Sequence, residues 1–498
     1  MAASILALDL GSSRVHAVVV DRRGVPLGSA EAPLQVAPAA GESELSRQID
    51  PRGLLDAVTS VATQSLNEAK VLPGEVEGIG VTGQRQGIVF MDRDGAELLV
   101  SPNLDLRAVF EGLSLEEEFG PELRRVTGHY PPLLLAPARL RWLQAHRPHL
   151  YDRLSCILTF PAWLVYRLTG AAVDEPSLAA AAGLLDVSTL DRPYGLLGRM
   201  NFPATALPPL LPSGEVAGRL TAGAASRFGL NPGTTVTLAG ADTQCGMLGM
   251  GLASPGELGL VTGWSCAAQL ITETPCYDAE MDSWLGCFPL QHRWVLEANL
   301  GDAGNAHRWL KGLLLGDGAS WQDAERLADG AVAPERYGTW AFLGPGPATA
   351  AAAGLQRGGL LFPTPLSYRT PPAGELFRAF WEGLCFSLKA NLKALGQPHG
   401  PLHLGGGMSR SKQLAQTLAS VLDTEVRRSE TAHVSALGAA LAAATAAGLC
   451  ETLEEAVLSC RPSWECFQPD AAGVLEYQDR FQEWTVLYRR LQDEQRGI

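Results

Sequence analysis

The stretch Thr235–Leu270, TVTLAGADTQCGMLGMGLASPGELGLVTGWSCAAQL, restricts the fold more than any other part of this chain. A run of β-forming and small apolar residues ends at Asp242, a short glycine-punctuated helix follows, and Ser254-Pro255-Gly256-Glu257 makes a tight turn. The remainder reads as two strands bent at Gly263-Trp264-Ser265. A carboxylate at the mouth of a strand, with a second glycine turn soon after it, puts a proton acceptor beside a phosphate-sized cradle. That is a layout for phosphoryl transfer.

A chain of 498 residues is too long for one core and predicts two large domains. We expect the boundary near Gly246–Gly251, giving residues 1–246, residues 247–450 and a C-terminal extension at 451–498, with Asp242 hanging from the end of the first domain over a cleft. The net charge of -14, with no Lys/Arg run longer than a pair, argues against nucleic acid or an anionic membrane as partner. Nine scattered cysteines without a CxxC pair fit reduced thiols and a cytoplasmic location. No basic and apolar leader opens the chain, so no signal peptide is expected. The apolar tract Ala436–Leu449 is shorter than a membrane span and reads as a small-residue helix packed tightly on a sheet.

Residues Ser4–Asp21 form a hairpin pattern around Gly11-Ser12-Ser13, with Asp9 just before the turn. Asp9 could hold a hydrated Mg²⁺ while the turn cradles phosphate oxygens, or simply stabilise the turn. A helix is predicted over Pro51–Ala69, and a buried strand over Val76–Val81 that leads into Gln84, Arg85 and Gln86. Two amides and a guanidinium at a strand end suit the oxygens of a small polar ligand. On an extended backbone the two-residue spacing of Asn103, Asp105 and Arg107 would point all three one way. Residues 331–372 are expected to be loop and short strands, and Glu375–Leu395 is the clearest helix, its aromatic stripe forming core. Near the end, Gly405-Gly406-Gly407-Met408 precedes a helix opening at Ser409–Ser411, where backbone can approach a flat or anionic group. The tail after Cys450 reads as peripheral, with a final charged helix near 477–495.

In this order the motifs resemble the FGGY carbohydrate kinases of the actin-like ATPase (ribonuclease H-like) superfamily. The resemblance runs from about Ile5 to Gly448 and rests on Asp9–Ser13, Gly83–Gly87, Asp105–Arg107, Trp163–Gly170, Gly240–Glu257, Gly405–Gln416 and Ser435–Ala440. The Gly83–Gly95 segment and the Pro102–Ala108 loop are more similar to autoinducer-2-type members than to typical xylulokinases. The resemblance implies an α/β fold of two actin-like ATPase domains with a catalytic cleft between them. It also implies ATP-dependent phosphorylation of a hydroxyl on a small sugar or polyol, such as xylulose or a related linear five-carbon compound such as autoinducer-2.

On this likeness Asp242 is the base, and Gln84, Arg85, Gln86, Asp105, Asp242 and Gln244 hold the sugar. ATP falls to Gly11, Ser12, Ser13, Gly263, Ser265, Gly304, Gly406, Gly407, Met408 and Ser411, and Mg²⁺ to Asp9 through water, with Asp242 as a second candidate. The partner is then a small-molecule sugar, with a homodimer as a candidate assembly. Three positions depart from the family pattern: His16 replaces a basic residue, Trp264 interrupts the usual Gly-Thr-Ser turn, and Ala419-Ser420 replaces Ala-Asp. The alternative they raise is a sugar- or nucleotide-binding sensor that kept the fold and lost turnover.

Overall fold

The strand Ser4–Leu10 is apolar on both faces apart from Ser4 and Asp9, so it must lie inside a sheet covered on both sides. It does so in the computed structural model, which describes residues 3–39, 41–277, 283–329, 338–343, 358–366, 370–396, 398–460 and 462–496. Ser4–Leu10 pairs antiparallel with Arg14–Asp21 and parallel with Val76–Gly83, which in turn pairs parallel with Thr235–Ala241. Strands Pro26–Pro33 and Gly218–Arg219 form the two edges of this six-stranded sheet.

A second sheet repeats the plan. The hairpin Leu258–Thr262 and Cys266–Thr272 is followed by parallel strands Leu402–Gly406 and Val426–Ser429. Trp294–Asn299 and Trp284–Cys287 extend it on one side and Trp464–Phe467 closes it on the other. The segment after residue 450, expected to be helical and peripheral, therefore supplies an edge strand as well. Its long helix Ala471–Arg496 buries Tyr477 and Trp484 among Phe342 and Phe386.

The predicted helices form. Pro51–Ala69 begins on Asp50, whose carboxylate accepts from the N–H of Gly53 at 2.9 Å, and it buries Leu54, Val58, Val61, Ala62 and Leu66. Ala373–Leu395 buries Phe377, Phe380, Trp381, Leu384 and Leu388 in the core of the second domain. A third, three-stranded sheet (Glu97–Ser101, Ile88–Asp92, Leu154–Thr159) is inserted into the first domain with helices Val109–Thr127 and Ala136–His146. Of residues 331–372, those described include only short strands, Trp340–Phe342 and Gly359–Leu361. The others in that range lie outside the described residues.

The two sheets meet through a pair of helices that each lean on the other domain. Val434–Ala446, which follows the second sheet's last parallel strand, packs against Val76–Gly83, Ser4–Leu10 and Thr235–Ala241 of the first. Asp242–Gly249, which leaves the first sheet, lies against Leu258–Thr262 of the second and crosses Val434–Ala446. The crossing is backbone on backbone. A Cβ at Gly438 would lie 1.9 Å from the Cys245 carbonyl oxygen, one at Gly249 1.9 Å from that of Val434, and one at Gly80 2.1 Å from that of Ala439. The small-residue helix thus packs tightly on a sheet, but on the sheet of the other domain.

Gly438→Ala should therefore force the helices apart and cost about 1–3 kcal/mol through overpacking, seen as a lower thermal midpoint. Gly195→Ala, where an added Cβ meets nothing within 4 Å, should leave the midpoint unchanged or slightly raised.

Candidate functional site

A cavity of about 1370 Å³ opens between the domains, and both hairpin turns reach it. From the first domain come Asp9, Gly11, Ser12, Ser13, Arg85, Gln86, Asn103 and Asp242, and from the second Gly263, Trp264, Ser265, Trp284, Glu297, Gly304 and the Gly406–Met408 turn with Ser411. Parallel strands deliver their C-terminal ends to the same place, since Leu10 pairs with Gly83 and Thr262 with Gly406. That is where open α/β sheets bind ligands.

The glycines at the turns are there for close approach. A Cβ on Gly304 would sit 2.1 Å from the Gly263 carbonyl oxygen, and the Gly304 N–H instead donates to the carbonyl of Trp264 at 2.9 Å. Gly406 has φ +94°, and a Cβ there would sit 2.1 Å from the Thr262 carbonyl oxygen. Trp264 is half-buried in the cavity wall, and its main chain ties the second hairpin to helix Ala303–Leu315. Ser411 caps helix Lys412–Leu422 by accepting from the N–H of Leu414 at 3.0 Å, and its hydroxyl donates to Glu325 at 2.8 Å.

Asp242 is the first residue of its helix and accepts from the N–H of Thr243 at 2.8 Å. Its side chain keeps 24% of its surface open to the cavity, and Arg85 Nε lies 4.0 Å from Oδ1. Burial pushes its carboxyl up to about 6, against the pull of the Arg85 charge. Asp9 is pushed further, to about 8, first by burial and then by the charge of Asp242, and its Oδ1 is buried without a hydrogen-bond partner. Two facing carboxylates, one with an orphaned oxygen, form a place that a hydrated divalent cation would satisfy.

Arg85 carries a contact that its sequence position did not announce. Its Nη1 and Nη2 donate to Glu297 at 2.6 and 2.8 Å across the domain boundary, and its guanidinium stands 5.5 Å from the Trp284 ring centroid. Burial by itself would raise the Glu297 carboxyl, but the charge and hydrogen bonds of Arg85 outweigh it and hold the group below the ordinary carboxylate range. Gln86 lines the cavity in a left-handed conformation, φ 65°. Its carbonyl accepts from the buried Arg139, and its Nε2 is left without a partner.

Three predicted sugar ligands are not in the cavity wall. Asp105 is fully buried behind it, accepting from Ser101 Oγ and Arg107 Nε, both at 2.6 Å, and from Arg47 N at 3.0 Å. The chain turns between Pro102 and Asp105, whose N–H donates to the Pro102 carbonyl, so the extended backbone that would align Asn103 with Asp105 is missing. Asn103 stays at the cavity and donates to Ser12 Oγ at 2.7 Å. Gln84 points back from it, donating to the Gly11 carbonyl at 3.2 Å and accepting from Asn103 N at 2.7 Å, so it braces the first hairpin turn. Gln244 lies two residues along a helix from Asp242, hence on another face, and its Oε1 accepts from Thr243 Oγ1 at 2.8 Å inside the protein.

Sequence reasoning missed Glu297, Trp284 and Tyr130, which also line the cavity. Glu297 left one trace, a charged residue inside the apolar strand WVLEAN with Asn299 two residues on and so on the same face. His16, flagged as a departure, lies at the cavity within 3.4 Å of Glu31 and 5.6 Å, ring to ring, from His433.

Two sheets of matching plan with a cleft at their shared strand ends define a two-domain actin-like ATPase fold. Comparison with solved structures agrees. The chain superposes on a ligand-bound xylulose kinase from Lactobacillus acidophilus with a TM-score of 0.85 at 20% identity, covering 98% of each chain. It superposes on a glycerol kinase with ADP from Plasmodium falciparum with a TM-score of 0.82 at 18% identity, again covering 98% of each. In sequence it is 27% identical to autoinducer-2 kinase of Escherichia coli (strain K12) over 97% of this chain and 94% of that protein. Residues 4–249 match the N-terminal domain of the FGGY family of carbohydrate kinases and residues 260–447 its C-terminal domain. The chain belongs to the FGGY family of carbohydrate kinases, and its activity is ATP-dependent phosphoryl transfer to a small-molecule sugar. Among the described residues, no helix is long and apolar enough to cross a membrane.

Because Asp105 holds up the wall rather than facing the cavity, Asp105→Ala should act on stability. Arg107 keeps Glu42 but its Nε, the Ser101 hydroxyl and the Arg47 N–H lose their buried acceptor, which should cost about 1–3 kcal/mol in a thermal or urea melt, while the sugar KM of the folded fraction is unchanged.

Proposed function

We propose that the acceptor sugar sits against Arg85, Gln86 and Asp242, and that ATP lies with its phosphates between the turns Gly11–Ser13 and Gly263–Ser265 and its base toward Gly406–Ser411. The observation that carries this is the partly open Asp242 carboxylate at the strand end, 4.0 Å from Arg85 and within the same cavity as both glycine turns. Gly304 belongs to the phosphate side, since it is bonded to the second turn.

Asp9, with Asp242 as a second candidate, would hold Mg²⁺ through water, where the ion would neutralise charge on the phosphates. Asp242 orients the acceptor hydroxyl and takes its proton as the new oxygen–phosphorus bond forms. A carboxylate raised to about 6 is a stronger base than an ordinary aspartate and is still mostly ionised at pH 7. The rest of the acceleration comes from alignment in a closed, dry cleft, which also keeps water from the transferring group. Trp264 and His16 both stand in the cavity wall, apart from Asp242 and Arg85, so these departures bear on nucleotide affinity rather than on the type of reaction.

For the acceptor we favour a ketopentose such as xylulose or a related linear five-carbon compound such as autoinducer-2. The similarity to autoinducer-2 kinase supports that class. Nine cysteines, none of them in a disulfide, support a reducing, cytoplasmic setting.

Asp242→Asn should lower kcat by about two orders of magnitude or more with the fold intact, measured as ADP release with the best acceptor of a sugar panel. Near-normal turnover in that variant would remove Asp242 from the role of base. In the wild type, kcat/KM should fall as pH drops through about 6, because protonation below that value removes the acceptor for the hydroxyl proton. An acid limb at the ordinary aspartate value near 4 would contradict a buried base.

A further inference from the structure

Glu297 belongs to the second domain, yet its side chain is committed to the acceptor end of the cleft in the first. It is 2% exposed, and every bond it makes is defined. Arg85 grips both of its oxygens, Gln269 Nε2 donates to Oε2 at 2.5 Å and Asn299 Nδ2 to Oε1 at 3.3 Å. Gln269 is itself anchored to Thr243 Oγ1 at 3.1 Å, next to Asp242. The carboxylate is thus fixed, and with it the plane of the guanidinium, whose remaining Nε faces Asp242.

The charges in the cavity are unevenly distributed. Asp9, Asp242 and Glu297 stand around the acceptor end with one cation, Arg85, already bound bidentately to one of them. The nearby His129 ring, beside Trp284, is kept neutral by burial, which pushes it down to about 4. The other basic side chains that line the cavity gather elsewhere. Arg14 and His16 share Glu31, Arg410 and His433 neighbour His16, and Arg308 bonds to Asn305. A polyphosphate therefore finds its cations away from the acceptor end, and among the described residues that line the cavity an acceptor finds none that is free.

Resting on the acceptor site proposed above, we infer that Glu297 is a specificity-determining residue. By neutralising Arg85 it makes the site select uncharged sugars and polyols and reject sugar acids. A hydroxyl can donate to Asp242 and accept from an edge of Arg85 without disturbing the pair. An aldonate carboxylate would have to displace Glu297 from the guanidinium or face Asp242 and Glu297 unpaired, and like charges brought together in an interface cost enough to suppress the wrong ligand. Placing the determinant on the second domain also makes the selection part of cleft assembly, since Arg85 is oriented only when the two domains are in contact.

The test is ADP release by the full-length enzyme with Mg-ATP and a panel of neutral ketoses, aldoses and alditols, each paired with the aldonate of the same carbon skeleton. For the best pair the wild type should favour the neutral member by about 100-fold or more in kcat/KM. Glu297→Gln keeps the shape and frees the guanidinium, so the neutral-to-acid ratio should shrink about tenfold or more, chiefly through the KM of the acid. Glu297→Asp keeps the charge and should keep the preference. A wild type that uses the aldonate as well as its neutral partner would overturn the inference, and so would an unchanged ratio in Glu297→Gln. The wild-type comparison can overturn the inference even if Glu297→Gln proves insoluble. No ADP release with any acceptor would instead overturn the site reading beneath this inference, and the inference with it.

Discussion

The contact of backbone on backbone between helices Asp242–Gly249 and Val434–Ala446 fixes how far apart the two sheets stand. Gly438 against Cys245 and Gly249 against Val434 leave no room for a side chain, so the helices meet at a distance set by main-chain atoms alone. Asp242 opens one of these helices and His433 immediately precedes the other. The carboxylate and the basic cluster opposite it therefore inherit their positions from one crossing. The alanines of Val434–Ala446 serve the same end, since the helix must also lie on Val76–Gly83 of the other domain.

On that frame the cavity sorts its carboxylates by environment. Asp9 and Asp242 are both pushed up, to about 8 and about 6, by burial first, with the charge of Asp242 adding to the shift of Asp9 and that of Glu297 to the shift of Asp242. Glu297 is equally buried but moves the other way because Arg85 holds both its oxygens. Three groups of one chemistry thus take different characters: two carboxyls whose protonated form burial favours, and one whose charge a guanidinium holds in place. Glu297 keeps its character only while the domains are in contact, since its guanidinium partner belongs to the other one.

The amide and hydroxyl contacts around the first turn show how positioning is passed inward. Gln84 bonds to Gly11 and to Asn103, Asn103 bonds to Ser12, and Asp105 ties the same loop to Arg107 and Arg47. Residues that sequence reasoning placed on the ligand hold the residues that line its cavity. A strand end has two sides, and polar side chains on the inner one must find protein partners because water does not reach them.

Local pattern was enough to find the two hairpins with their glycine turns, the strand that ends at Asp242, the helices Pro51–Ala69 and Ala373–Leu395, and the family to which the order of motifs points. Each of these is written in a local period or a local turn, and such patterns survive without knowledge of the rest of the chain. Tertiary structure alone decided that Gln84, Asp105 and Gln244 turn inward, because a turn at Pro102–Asp105 and the 3.6-residue helical period rotate side chains away from where an extended chain would put them. It alone brought Glu297 to Arg85, 212 residues away, and laid the alanine helix on the sheet of the other domain. Those pairings depend on how two separately patterned halves dock, and a residue's partner across a domain boundary leaves no period in the sequence of either half.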